Sequence, residues 1–183
     1  MRKIAISALI LILTACSSKA PSAFTKVDKV PTVFPDYTNI TVPCNIAPMN
    51  FLIDQEADRY LTVLESESGK VSIKGKKVCI PRSKWQALTR SPQITVSVYT
   101  RNKGQWSAYS PFSINVSDEI DPFISYRIIM PSVECYERLS INERDLTSFS
   151  EKVIYSNEMV QVTDKGQCIN CHHYRNYGTD NMQ

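Results

Sequence analysis

Ile94-Thr95-Val96-Ser97-Val98-Tyr99, then Asn102-Lys103-Gly104, then Gln105-Trp106-Ser107-Ala108-Tyr109 and Phe112-Ser113-Ile114-Asn115-Val116, is the stretch that decides the fold. Ile94, Val96 and Val98 alternate with Thr95, Ser97 and Tyr99, so one side of an extended chain is apolar and the other polar, as in a half-buried strand. Asn102-Lys103-Gly104 turns the chain, and Phe112, Ile114 and Val116 resume the alternation beyond Pro111. Upstream, Met49-Asn50-Phe51-Leu52-Ile53 and Tyr60-Leu61-Thr62-Val63-Leu64 are short apolar runs. Ser68-Gly69-Lys70 and Lys74-Gly75-Lys76 bracket Val71-Ser72-Ile73, and Val78-Cys79-Ile80 ends at Pro81. Only 83–88 reads as a helix, of about two turns. Strands at this spacing predict a mainly-β chain with a β-sandwich over 40–117.

Composition sets the outer bounds. The 183 residues are 43% hydrophobic and 21% charged, a globular balance too apolar for intrinsic disorder. Five glycines exclude collagen-like or Gly-rich sequence, and ten prolines fit strand-bounding turns. The formal net charge is +3 (21 basic, 18 acidic), and losing Arg2 and Lys3 with a leader lowers it to +1. Such a balance offers no basic face for nucleic acid.

Residues 1–16 have the layout of an export signal. Arg2 and Lys3 precede Ile4-Ala5-Ile6-Ser7-Ala8-Leu9-Ile10-Leu11-Ile12-Leu13, and Leu13-Thr14-Ala15-Cys16 is a small-residue cleavage pattern ending on cysteine. The apolar run is well short of the roughly 20 residues needed to span a bilayer, which disfavours a transmembrane anchor. The pattern resembles a bacterial lipoprotein signal. That resemblance implies a signal peptide over 1–15, lipidation of Cys16 and anchorage in the cell envelope, with Ser17 rather than aspartate after the cysteine pointing to the outer membrane, facing the periplasm. Residues 16–39 are then expected to be a tether, and the five remaining cysteines meet an oxidising compartment.

Residues 118–162 change texture. Ile124-Ser125-Tyr126-Arg127-Ile128-Ile129 is strand-like, while 142–153 is charged with scattered Leu146, Phe149 and Val153. No core is visible, so an irregular docking extension is expected, followed by a tail over 163–183. That tail carries Cys168-Ile169-Asn170-Cys171-His172. Cys-x-x-Cys-His is the attachment signature of c-type haem: Cys168 and Cys171 can each form a thioether to a vinyl group, and His172 is placed to be the proximal ligand of the iron. Three readings of the cysteine pair compete. They are a disulfide staple, a thioredoxin-like redox pair (disfavoured because no βαβ unit precedes it), and half of a zinc site lacking further paired ligands. His173 cannot reach the opposite face of the same ring, and Met159 and Met182 are the distal candidates, although methionine more often packs. The ten residues from Tyr174 to the end are polar and without periodicity, and are expected to be mobile. Cys44, Cys79 and Cys135 are an odd set; a Cys44–Cys79 disulfide across the sandwich is the first pairing to consider, against buried free thiols. No Ser/His/Asp arrangement and no Gly-rich phosphate loop exists, so no hydrolase or kinase chemistry is expected.

Two wider resemblances rest on these residues. The strand at 94–99 with Gln105-Trp106-Ser107-Ala108-Tyr109-Ser110-Pro111 resembles the end of a fibronectin type III domain, and Asn45-Ile46-Ala47-Pro48-Met49-Asn50-Phe51 is similar to its Pro-rich first strand. Phe34-Pro35-Asp36-Tyr37, Thr41-Val42-Pro43-Cys44, Trp106-Ser107-Ala108-Tyr109, Ser125-Tyr126-Arg127-Ile128-Ile129 and the Cys-x-x-Cys-His motif together resemble the N-terminal portion of TolB-like β-propeller lipoproteins, over about 34–175. In that family the motif leads into propeller blades, so the resemblance implies a truncated member whose partner is a protein or a missing propeller. Cys44 departs from the small or proline residue usual there.

Overall fold

The computed structural model describes residues 20–129, 139–159, 172–178 and 181–182. In chain order its elements are β1 (Thr25–Val27), β2 (Val33–Phe34), β3 (Thr41–Pro43), β4 (Phe51–Ile53), β5 (Arg59–Ser66), β6 (Gly69–Lys74), β7 (Lys77–Val78), helix α1 (Arg82–Leu88), β8 (Gln93–Asn102), β9 (Gln105–Tyr109), β10 (Phe112–Ser117), β11 (Phe123–Ile128), β12 (Ser140–Asp145) and β13 (Glu151–Ser156). The fold is mainly β, and among the described residues no sheet closes into a barrel.

The alternating run that opens the sequence reading is the centre of the large sheet. β8 pairs antiparallel with β5 along one side, and β6 lies outside β5. Its other side is shared: β10 pairs with its first half and β9 with its second, separated by Ser110 and Pro111. Proline lacks the N–H a continuous ladder would use. β3 runs parallel beside β10 and β1 parallel beside β9. β2, β4 and β7 form a three-stranded antiparallel sheet. Ile94, Val96, Val98 and Ile114 from the large sheet share one buried cluster with Phe51, Ile53 and Val78 from the small one. The rings of Phe51 and Phe112 meet edge to face at 6.4 Å across the two sheets.

Helix α1 has no side-chain cap, and at seven residues it is too short to stand on propensity. Burial holds it: Trp85 and Leu88 enter the core, and Trp85 Nε1 donates to the Ile46 carbonyl at 3.0 Å. The β8–β9 turn has Lys103 at φ 47° and Gly104 at φ 87°. Two successive positive φ values are the type I′ geometry that matches strand twist.

Two boundaries differ from expectation. The tether over 16–39 is already part of the sandwich from β1 onward, with β2 in the small sheet and Val33 buried. Thr25-Lys26-Val27 has little apolar content, so backbone pairing along an open sheet edge, rather than side-chain burial, recruits it. The extension over 118–162 is not irregular where it is described. β11, β12 and β13 form a three-stranded antiparallel sheet, with a bulge between Ile141 and Asn142. It meets the sandwich at the loop after β3. Ala47 N–H donates to the Leu146 carbonyl at 2.6 Å, and Asn45 Nδ2 donates to the Ile120 carbonyl at 2.8 Å.

Candidate functional site

His172 is the first described residue of the tail; Cys168 and Cys171 lie outside the described residues, as do Cys16 and Cys135. The His172 side chain is half-buried and His173 is exposed. Beyond them the chain, expected to be mobile, closes on itself. Tyr174 and Met182 form an antiparallel bridge, and the Arg175 N–H donates to the Asn181 carbonyl at 2.9 Å. A 3-10 turn, Arg175–Tyr177, carries Asn176 at φ 54°, a left-handed conformation that asparagine tolerates. Met182 thus has its backbone paired to Tyr174, two residues beyond His172, whereas Met159, itself exposed, ends the 3-10 turn Asn157–Met159, whose first residue is buried. Among the described residues no group of three or more His, Cys, Asp or Glu side chains gathers to hold a metal ion. The donor set of the motif nonetheless fits a c-type haem, with two thiols three residues apart and an imidazole on the next residue.

The Cys44–Cys79 pairing is corrected by the structure, in which both are free thiols. Cys79 lies between buried Val78 and Ile80 at the end of the small sheet. The two-residue period therefore turns its side chain outward, and it is exposed. Cys44 follows β3 on the large sheet, half-buried, and its N–H donates to the Ser117 carbonyl at 3.1 Å.

Two clefts flank the junction between the sandwich and the β11–β13 sheet, and neither was visible as a pattern in the sequence. One, of about 370 Å³, is mostly apolar, with Ala47, Met49, Ile124, Leu146 and Phe149 on its walls and Arg144 beside them. The other, of about 680 Å³, has Cys44, Gln86, Glu119 and the guanidinium-bearing Arg82 and Arg90 around it. The loop between them is organised by Asp145, which accepts from the Thr147 N–H and the Ser148 hydroxyl, both at 2.8 Å. The Ser148 hydroxyl first, then Thr147, holds the Asp145 carboxyl below its ordinary value, with Arg82 adding a smaller pull. The available signal was Asp145-Leu146-Thr147-Ser148, an aspartate two residues before a threonine, which suits a side-chain-closed turn. On the sheet itself, a hydrogen bond to Glu151 pushes the Tyr126 hydroxyl up from its ordinary value.

No helix among the described residues is long and apolar enough to cross a membrane. Compared with known proteins, the chain matches no family model, no curated protein and no solved structure.

Proposed function

We propose that the chain is a cell-envelope lipoprotein, lipidated at Cys16, that displays a covalently bound c-type haem on a β-sandwich carrier and serves electron transfer or redox sensing. The single observation that carries this is Cys168-Ile169-Asn170-Cys171-His172 in a chain with an export signal. Cys168 and Cys171 hold the group through thioethers and His172 supplies the imidazole nitrogen to its iron; when bound, the group supplies one-electron chemistry. The chain's own contribution is positional. His172 lies two residues before Tyr174, whose backbone pairs with that of Met182. The resemblance to the N-terminal portion of TolB-like lipoproteins gives the same envelope setting.

A second reading is a non-enzymatic interaction module of the envelope, with Cys168 and Cys171 as a disulfide staple. It is favoured by the apolar residues left exposed around the β11–β13 sheet, Phe123, Ile124, Ile128 and Val153 among them. One experiment separates the two. The full chain is exported in cells carrying haem-maturation machinery, run on a denaturing gel and stained for haem peroxidase activity. A stained band that disappears in the Cys168→Ala, Cys171→Ala double variant supports the haem reading. An unstained wild-type band with both thiols blocked to alkylation supports the staple.

A further inference from the structure

The N-terminal end of the sandwich carries aromatic and cationic side chains that the haem reading leaves unused. Pro21 and Phe24 run alongside the type I′ turn and, with Gly104, Gln105 and Trp106, line an open groove of about 580 Å³. Phe24 is 41% exposed and stands edge-on to Tyr99, ring centroids 5.8 Å apart. The guanidinium of Arg101 lies 5.9 Å from the centroid of the Trp106 ring, and its Nε donates to the Gly104 carbonyl at 3.0 Å. Arg59 is the cross-strand partner of Arg101, and exposed Lys103 sits on the turn itself. Against these stands Asp58, which accepts from the Lys103 N–H at 2.9 Å; Glu56 nearby is engaged by Lys76 at 2.9 Å. The balance at this end is cationic.

We propose that this end of the sandwich is the face laid on a lipid bilayer, with Phe24 and Trp106 at headgroup depth and Arg59, Arg101 and Lys103 against anionic headgroups. The inference rests on the reading that Cys16 is lipidated, and it adds which face the anchor presents. Four residues lie between Cys16 and Pro21, so five Cα-to-Cα steps link them. Whatever their conformation, these steps reach about 17 Å at most. The groove is therefore held within about 17 Å of the anchored residue, close enough for its side chains to reach the headgroup region, roughly the outer 5–8 Å on each side of the hydrocarbon core. Indole and phenyl rings with an adjacent polar group favour that layer, and clustered Lys and Arg favour anionic lipid.

The chain has two tryptophans, which makes the proposal directly readable. Trp85 is fully buried and Trp106 lines the groove. Lipidated full-length protein is reconstituted into phosphatidylethanolamine–phosphatidylglycerol vesicles, with or without bromine at a shallow acyl position, and floated on a density gradient. Comparing the two lipids on one protein preparation cancels quenching by any bound haem. The expected result is that brominated lipid dims wild-type emission by the share due to Trp106 and leaves Trp106→Phe unchanged. Protein that floats but emits equally on both lipids overturns the inference and leaves the anchor standing. Dimming as large in Trp106→Phe as in wild type also overturns it, since another face would then meet the lipid. Protein that does not float overturns the anchor and this inference together.

Discussion

Replacing Trp85 with phenylalanine tests how the two parts of the molecule are held together. The indole is 0% exposed in the core cluster, and its Nε1 donates to the Ile46 carbonyl, one residue before Ala47, which bonds to Leu146 of the second sheet. Phenylalanine removes that donor, and a carbonyl left without its partner costs about 1–3 kcal/mol. The smaller ring leaves a void of roughly 40 Å³, worth about 1 kcal/mol at the measured cost of cavity volume. Together the variant should lose about 2–4 kcal/mol, from a total stability of about 5–15. For a domain of this size that lowers Tm by roughly 4–16 °C. Urea unfolding followed by far-UV circular dichroism should show an earlier midpoint with an unchanged slope. Trp106→Phe is the control: its ring is half-buried at the groove with the Arg101 guanidinium over it, so it should lose no more than about 1 kcal/mol. A Trp85→Phe loss below about 1 kcal/mol, within the range of an ordinary surface change, would refute the assignment of Trp85 as the tie between helix, loop and core.

Deleting 163–183 should leave a single cooperative melting transition, because the buried apolar cluster runs from Val33 to Ile114; a broad, non-cooperative melt would contradict that. In the folded protein a thiol-reactive probe should modify Cys79 quickly and Cys44 slowly, and peptide mapping under non-reducing conditions should find no Cys44–Cys79 link. Asp145 should titrate below its ordinary value of 3.8 by carboxyl-carbon NMR. A carboxyl whose folded value is depressed stabilises above the unfolded value and loses that contribution as pH falls through the folded one. The loop at 145–148 should therefore loosen only in acid below about pH 4, and Asp145→Asn should abolish that pH step.

The sandwich was legible because its strands bury one side only: Ile94, Val96 and Val98 are buried, with Gln93, Thr95 and Ser97 on the other side. The helix at 83–88 appears as α1, one residue longer at its start. What escaped reading lacks that contrast. β1 is Thr-Lys-Val and is held by main-chain pairing that composition does not record. β12 carries Glu143, Arg144 and Asp145 in a row and buries Asn142, whose Nδ2 donates to the Ser140 hydroxyl. A buried asparagine inside a charged run reads as a loop until its partners are seen. The Cys-x-x-Cys-His motif is legible for the opposite reason, since the proposed haem attachment rests on the local spacing of two thiols and one imidazole. The two clefts at the junction depend on residues about a hundred positions apart, such as Met49 with Phe149, which no local pattern connects.

The parallel pairing of β1 with β9 also has a mechanical consequence. Thr25, Lys26 and Val27 are matched to Ser107, Ala108 and Tyr109 in a ladder whose bonds lie across the strand direction. A pull arriving from the N-terminal side runs along β1, so it loads these bonds in shear, all at once, rather than peeling them singly. A short strand with almost no buried surface can then act as a strain relief. Tension on the lead-in is absorbed at the sheet edge before it reaches Val33 and the core, and the core keeps its packing when the lead-in is pulled.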